Sequence, residues 1–261
     1  MVAPQNATGT PTRDNEFVSK LPQITIFFWI MKICATTLGE TAGDLLSMTL
    51  DVGYALSSVI LIGFFFVTLF AQFAVHRHHP LLYWSVILST STAGTTMSDY
   101  MDRTLELGYL KGSAILLAIL VAILVFWRLT VRDLSVVNIR TRKVESLYWA
   151  AILCSNTLGT ALGDFLADDS GLGFGGGALL ISSLIGLTVV GYRFTSISRV
   201  ALFWVAFVLT RPFGATMGDL LTKSHENGGF GFGTVGSSAV LAVLLGVFVV
   251  HAMRTHRALA A

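Results

Sequence analysis

Thr36-Thr37-Leu38-Gly39-Glu40-Thr41-Ala42-Gly43-Asp44 decides the fold, because the chain repeats much of it at Asn156-Thr157-Leu158-Gly159-Thr160-Ala161-Leu162-Gly163-Asp164. Shorter echoes end at two further aspartates, in Thr96-Met97-Ser98-Asp99 and Thr216-Met217-Gly218-Asp219. Trp29, Trp84, Trp149 and Trp204 each lie fifteen residues before Asp44, Asp99, Asp164 and Asp219 in turn. A recurring interval of this kind means one structural unit used several times. The first and third tryptophans are 120 positions apart, as are the second and fourth, so two units were duplicated as a pair.

Around these anchors the chain is unusually apolar, with 54% hydrophobic and 12% charged residues, where soluble domains carry about a quarter charged. Crossing about 30 Å of hydrocarbon takes about 20 apolar residues. Eight such stretches run over 24–46, 53–75, 81–100, 108–127, 146–167, 173–192, 200–221 and 231–250. The expected fold is an all-α integral membrane protein of eight transmembrane helices, built from four parallel helical-hairpin repeats in two duplicated pairs. Its segments are a polar tail at 1–23, a first repeat pair at 24–128, a linker at 129–144, a second pair at 145–251 and a tail at 252–261. The first tail lacks the apolar core of a signal peptide.

Each copy places small residues four apart before its aspartate: Gly39 and Gly43, Gly94 and Ser98, Gly159 and Gly163, Gly214 and Gly218. Such pairs let membrane helices approach closely. Glycine-aromatic pairs open the second helix at Gly53-Tyr54, Gly108-Tyr109, Gly173-Phe174 and Gly231-Phe232, and the fourth loop is three residues longer. These features resemble bacterial multi-spanning proteins defined by a tandem membrane repeat of unknown function, with a T-T-x-G-E-x-x-G-D motif. The resemblance covers nearly all of 24–250 and implies membrane residence and the repeat, with no activity attached. Thr95, Thr160 and Ala215 replace the motif glutamate in the other copies, so a role for Glu40 belongs to the first repeat alone.

Two crossings per unit put both termini on one side, and Lys and Arg choose it. The tails and inter-unit loops hold twelve of them, against Arg103, Lys111 and Lys223 in the opposite loops. The expectation is a cell inner membrane protein with both termini cytoplasmic, and with acidic loops and the four aspartates near the outer side.

Residues four apart share a helix face. The first repeat aligns Lys32, Thr36, Glu40 and Asp44, and the others align Ser91, Thr95 and Asp99, then Asn156, Thr160 and Asp164, then Arg211 and Asp219. A carboxylate near the bilayer centre costs roughly 2.5 to 3.5 kcal/mol, so the four first helices are expected to surround a hydrophilic cavity lined by the four aspartates. Two readings of the aspartates stand open: ligands of a cation, or caps that bond the following turn. Lys32 and Arg211 are likewise either charge partners that fix helix register or coupling residues. Glu40 and four aspartates give minus five and Lys32 with Arg211 plus two, leaving minus three, which suits a cation. Oxygen ligands favour hard ions such as Mg²⁺, Mn²⁺ or Ca²⁺, and crowded carboxylates also hold protons.

Other signals carry less. Net charge is +2 with no basic stripe, so nucleic acid is excluded as a partner. His76, His78, His79, His225, His251 and His256 all lie in loops or at segment ends, which excludes bis-histidine haem ligation. Gly171-x-Gly173-x-x-Gly176 follows no strand and reads as a tight turn rather than a dinucleotide site. No catalytic signature and no cofactor motif is present. The expected function is transport of a small cation, a hard divalent ion first, with proton coupling through the carboxylates. The alternatives are a non-transport scaffold or sensor and, with less in its favour, an intramembrane lipid or quinone enzyme. The bilayer is the partner the sequence names, and the oligomeric state is open.

Overall fold

The structure, a computed structural model, describes residues 22–75, 78–136, 139 and 141–260, apart from the side chains of 257–260. The tail before residue 22, and the loop charges His76, Arg77, Arg140 and Arg257, lie outside the described side chains.

Eight long helices follow one another: α1 Ile26–Asp44, α2 Tyr54–Ala74, α3 Pro80–Asp99, α4 Tyr109–Val131, α5 Arg142–Asp164, α6 Gly173–Phe194, α7 Arg199–Thr222 and α8 Gly233–Ala260. No strand occurs among the described residues. Local chemistry sets their ends. Thr25, Thr141 and Ser198 accept backbone N–H bonds at the starts of α1, α5 and α7, and Pro80 opens α3, where its missing N–H costs nothing. Gly53 and Gly108, at φ of 80° and 74°, turn the chain into α2 and α4, a conformation open to residues without a Cβ.

Three of the four aspartates are followed by a π-helical turn, at Leu45–Thr49, Tyr100–Thr104 and Phe165–Asp169. The fourth repeat, with its longer loop, runs α-helical to Thr222 and turns through a short 3-10 segment at His225–Asn227.

The packing order is cyclic. α1, α3, α5 and α7 form a closed inner ring in which each touches the next and α7 returns to α1. The second helix of each repeat packs outside on the first helix of the following repeat: α2 on α3, α4 on α5, α6 on α7 and α8 on α1. The repeat is thus a hairpin in chain path, while its two helices find their main partners elsewhere.

Glycines make the ring close. A methyl on Gly43 would sit 2.8 Å from Thr95 Cβ, one on Gly94 2.9 Å from the Thr157 nitrogen, one on Gly163 2.7 Å from Ala215 Cβ, and one on Gly218 2.8 Å from Glu40 Cβ. Each small residue therefore receives a side chain or backbone of the next repeat, and the fourth repeat receives the first. At the other end the tryptophans repeat the pattern. Phe28 meets Trp84 (ring centroids 5.6 Å), Tyr83 meets Trp149 (5.7 Å), Tyr148 meets Trp204 (6.4 Å) and Phe203 meets Trp29 (5.7 Å). This aromatic belt closes the tryptophan end of the ring, and the Tyr83 and Tyr148 hydroxyls bond each other inside it at 2.8 Å.

The outer helices turn apolar side chains outward, among them Phe64 and Phe70 on α2, Leu117 and Phe126 on α4, Leu187 on α6 and Val243 on α8. Six segments are long and apolar enough to cross a membrane: α2, α4, α5 with its π turn, α6, α7 and α8. They mark the chain as a multi-pass membrane protein. α1 and α3 fall short of that mark because much of their surface is the polar interior of the ring, with Lys32, Glu40 and Asp44 on α1 and serines and threonines from Ser89 to Ser98 on α3.

Candidate functional site

The spacing-four stripes of α1, α3, α5 and α7 face one another across the ring, and every member is buried. Stacked from the tryptophan end, the layers are Lys32 with Ile87, Ile152 and Phe207; Thr36 with Ser91, Asn156 and Arg211; Glu40 with Thr95, Thr160 and Ala215; and the four aspartates. The interior is polar, as its pattern requires. Side chains cross its axis beside Glu40, where the sequence suggests a lined cavity.

Arg211 is the main one. From α7 its Nη2 reaches Glu40 Oε2 at 2.8 Å, Thr160 Oγ1 at 2.6 Å and Thr95 Oγ1 at 2.5 Å, and the carbonyl of Ser91 at 3.4 Å. Thr95 and Thr160 also lie 3.2 and 3.5 Å from Glu40 Oε2. One carboxylate and one guanidinium thereby link all four inner helices. Lys32 behaves otherwise. Its Nζ meets Asn156 Oδ1 at 3.5 Å and lies 4.1 Å from the Phe207 ring centre, and among the described residues no carboxylate pairs with it. Asn156 is held in turn by Thr90 at 2.9 Å. Thr36 donates to the backbone, at the Lys32 and Thr210 carbonyls.

Three of the four aspartates do not cap. Asp44, Asp99 and Asp164 each precede a π turn without accepting a backbone N–H from it. They pair instead with two cations that sequence reasoning counted only for orientation. Lys223 Nζ bridges Asp44 Oδ2 at 3.1 Å and Asp219 Oδ1 at 3.2 Å. Arg103 bridges Asp99 through Nε at 3.0 Å and Asp164 through Nη2 at 3.5 Å, with Asp168 at 4.0 Å. Burial works against both charges, but Asp219 and Asp44 outweigh it and hold the Lys223 ammonium above the ordinary lysine range, as Asp99 and Asp164 do for Arg103. A signal for both was available, since Arg103 and Lys223 each stand four residues after an aspartate, on the same helix face. Adding them changes the interior charge from minus three to minus one.

Within this cluster Glu40, Asp44 and Asp219 each offer a carboxylate oxygen, and the three oxygens lie within 4.8 Å of one another. Asp99 and Asp164 complete the layer on the other side of the ring. A cleft of about 290 Å³ opens beside it, lined by Arg103, Asp168, Phe174, Asp219, Lys223 and Asn227 among others. Next to the cleft, Tyr109 donates to Asp168 at 3.4 Å and Arg103 stands over the Tyr109 ring.

This architecture, four tandem repeats closed into an all-helical membrane bundle, defines the class of protein. Four stretches, at 27–78, 82–133, 147–198 and 202–258, match the family described as Repeat of Unknown Function (DUF347), and the chain belongs to that family. Each match begins two residues before a repeat tryptophan. No curated protein and no solved structure shows a significant match to the chain.

Proposed function

We propose that this protein is a membrane carrier for a small hard cation, a divalent ion by preference, whose interior carboxylates can also carry protons. One observation supports the reading above others: three buried carboxylate oxygens, from Glu40, Asp44 and Asp219, within 4.8 Å of one another. Oxygens bound to a Ca²⁺-sized ion stand about 2.3 to 2.6 Å from it, so ligands on opposite sides are about 5 Å apart. The spacing fits such an ion. Asp99 and Asp164 add negative charge in the same layer, and Thr95 and Thr160 place hydroxyls one layer deeper.

In this reading all eight helices span the bilayer. α1 and α3 belong to the same closed ring as α5 and α7, which pass the length and hydropathy test, and their polar residues turn inward. The bias of Lys and Arg supports a cell inner membrane protein with both termini cytoplasmic, and with the aspartate layer and its cleft toward the outside. The proposal assigns the chain no catalytic role.

The test is flux in proteoliposomes. Purified protein should move Mn²⁺, Ca²⁺ or Mg²⁺ down a gradient, and Asp44→Asn or Asp219→Asn should abolish it while the protein remains folded. No flux for any of these ions in wild type would remove the proposal. A second reading draws on the side chains that cross the axis: a scaffold whose ion pairs lock helix register. There the same substitutions would lower thermal stability, and ion movement would be absent throughout.

A further inference from the structure

The two cations that bridge the aspartate layer are counterparts, four residues after the aspartates of the second and fourth repeats, yet they differ in kind. Arg103 spreads over Asp99, Asp164 and Asp168 and lies against Tyr109. A guanidinium offers five donors in a fixed fork and is well suited to lock carboxylates. Lys223 is a single ammonium on a flexible stem, held among the described residues by Asp44 and Asp219. It sits just past the end of α7, in the one repeat that lacks the π turn and carries the longer loop.

Resting on the carrier reading, we propose that Lys223 is a built-in surrogate cation that the transported ion displaces, so that the binding site is Glu40–Asp44–Asp219 and the Asp99–Asp164 pair stays locked by Arg103. Two observations besides the acidic cluster carry this. A positive charge already stands between the two aspartates, at 3.1 and 3.2 Å from their oxygens. Lys223 and Asp219 both line the cleft of about 290 Å³, which is roomy enough for water, so an ion can arrive hydrated and the ammonium has somewhere to go.

Displacement also accounts for the chemistry of the exchange. A divalent ion entering this triad meets three carboxylates, one of them already balanced by Arg211. Release of Lys223 leaves two unbalanced negative charges, matching the ion.

Mn²⁺ binding to the purified full chain, read by electron paramagnetic resonance or equilibrium dialysis at fixed pH and ionic strength, tests the idea. Lys223→Met removes the competitor and should tighten Mn²⁺ binding at least tenfold. Lys223→Arg, which keeps the charge and adds donors, should weaken it by a similar factor. As a second readout, Mn²⁺ should raise the melting temperature of Lys223→Met more than that of wild type, which serves even if the variant is less stable alone. Unchanged affinity in both Lys223 variants, with binding still lost in Asp44→Asn, overturns the displacement and leaves the carboxylate site standing. Absence of Mn²⁺ binding in wild type and Lys223→Met alike overturns the site and the inference together.

Discussion

Arg211 Nη2 lies 2.8 Å from Glu40 Oε2, with both side chains closed to solvent, and the pair joins the first repeat to the last. Removing one partner of a buried pair strands the other charge, at about 3–5 kcal/mol. Arg211→Met and Glu40→Gln should therefore each destabilise the protein by that order. The double variant should recover most of the loss, because no buried charge is stranded. Thermal unfolding in detergent of the four proteins forms the cycle, and additive losses would show that the pair is not the unit of stability.

Ring closure rests on glycines that meet the next repeat. Gly218→Ala would place a methyl 2.8 Å from Glu40 Cβ, and overpacking of this kind costs typically about 1–3 kcal/mol. Gly63, on the outer face of α2, has nothing within 4 Å of such a methyl. Gly63→Ala should leave the unfolding temperature unchanged or slightly raised. Equal effects at the two sites would contradict the inner-ring packing.

Within the aromatic belt, the Tyr83 and Tyr148 hydroxyls have each other at 2.8 Å. Tyr83→Phe leaves Tyr148 with a buried hydroxyl lacking that partner, a loss of about 1–3 kcal/mol. Tyr83→Phe with Tyr148→Phe should be nearer neutral. The comparison needs stability measurements on the two variants and wild type.

Asp102 gives a pH dependence of known sign. Burial pushes its carboxyl up to about 6, against the Ser98 hydroxyl and Arg103, which favour the charged form. The ordinary value is 3.8, so the folded chain holds the proton more tightly than the unfolded one. Its contribution is fully present below pH 3.8 and is lost as the pH rises through about 6. Asp102→Asn, which mimics the protonated group, should flatten the stability profile across that interval. An unchanged slope in an unfolding series from pH 4 to 7 would contradict the assignment.

Much of this protein is legible from residue spacing alone. The four tryptophans and four aspartates mark the repeats, and their common offset from the family matches shows that the ruler was the structural one. The stripes at spacing four identify the interior face before any coordinate, because a polar group in lipid must turn inward. Helix number and order follow from the length of the apolar runs.

Tertiary structure alone decided who pairs with whom. Spacing places Arg103 and Lys223 four residues after an aspartate, but only ring closure brings Asp164 to the one and Asp44 to the other. Lys32 and Arg211 look equivalent in sequence. α7 carries Arg211 to Glu40, while Lys32, one layer toward the tryptophans, finds Asn156 and an aromatic ring. Nor does the chain announce that each outer helix packs on the next repeat rather than its own. Periodicity within a helix reports which face is buried. Which neighbour buries it depends on how glycines and their opposing side chains fit when the fourth repeat meets the first.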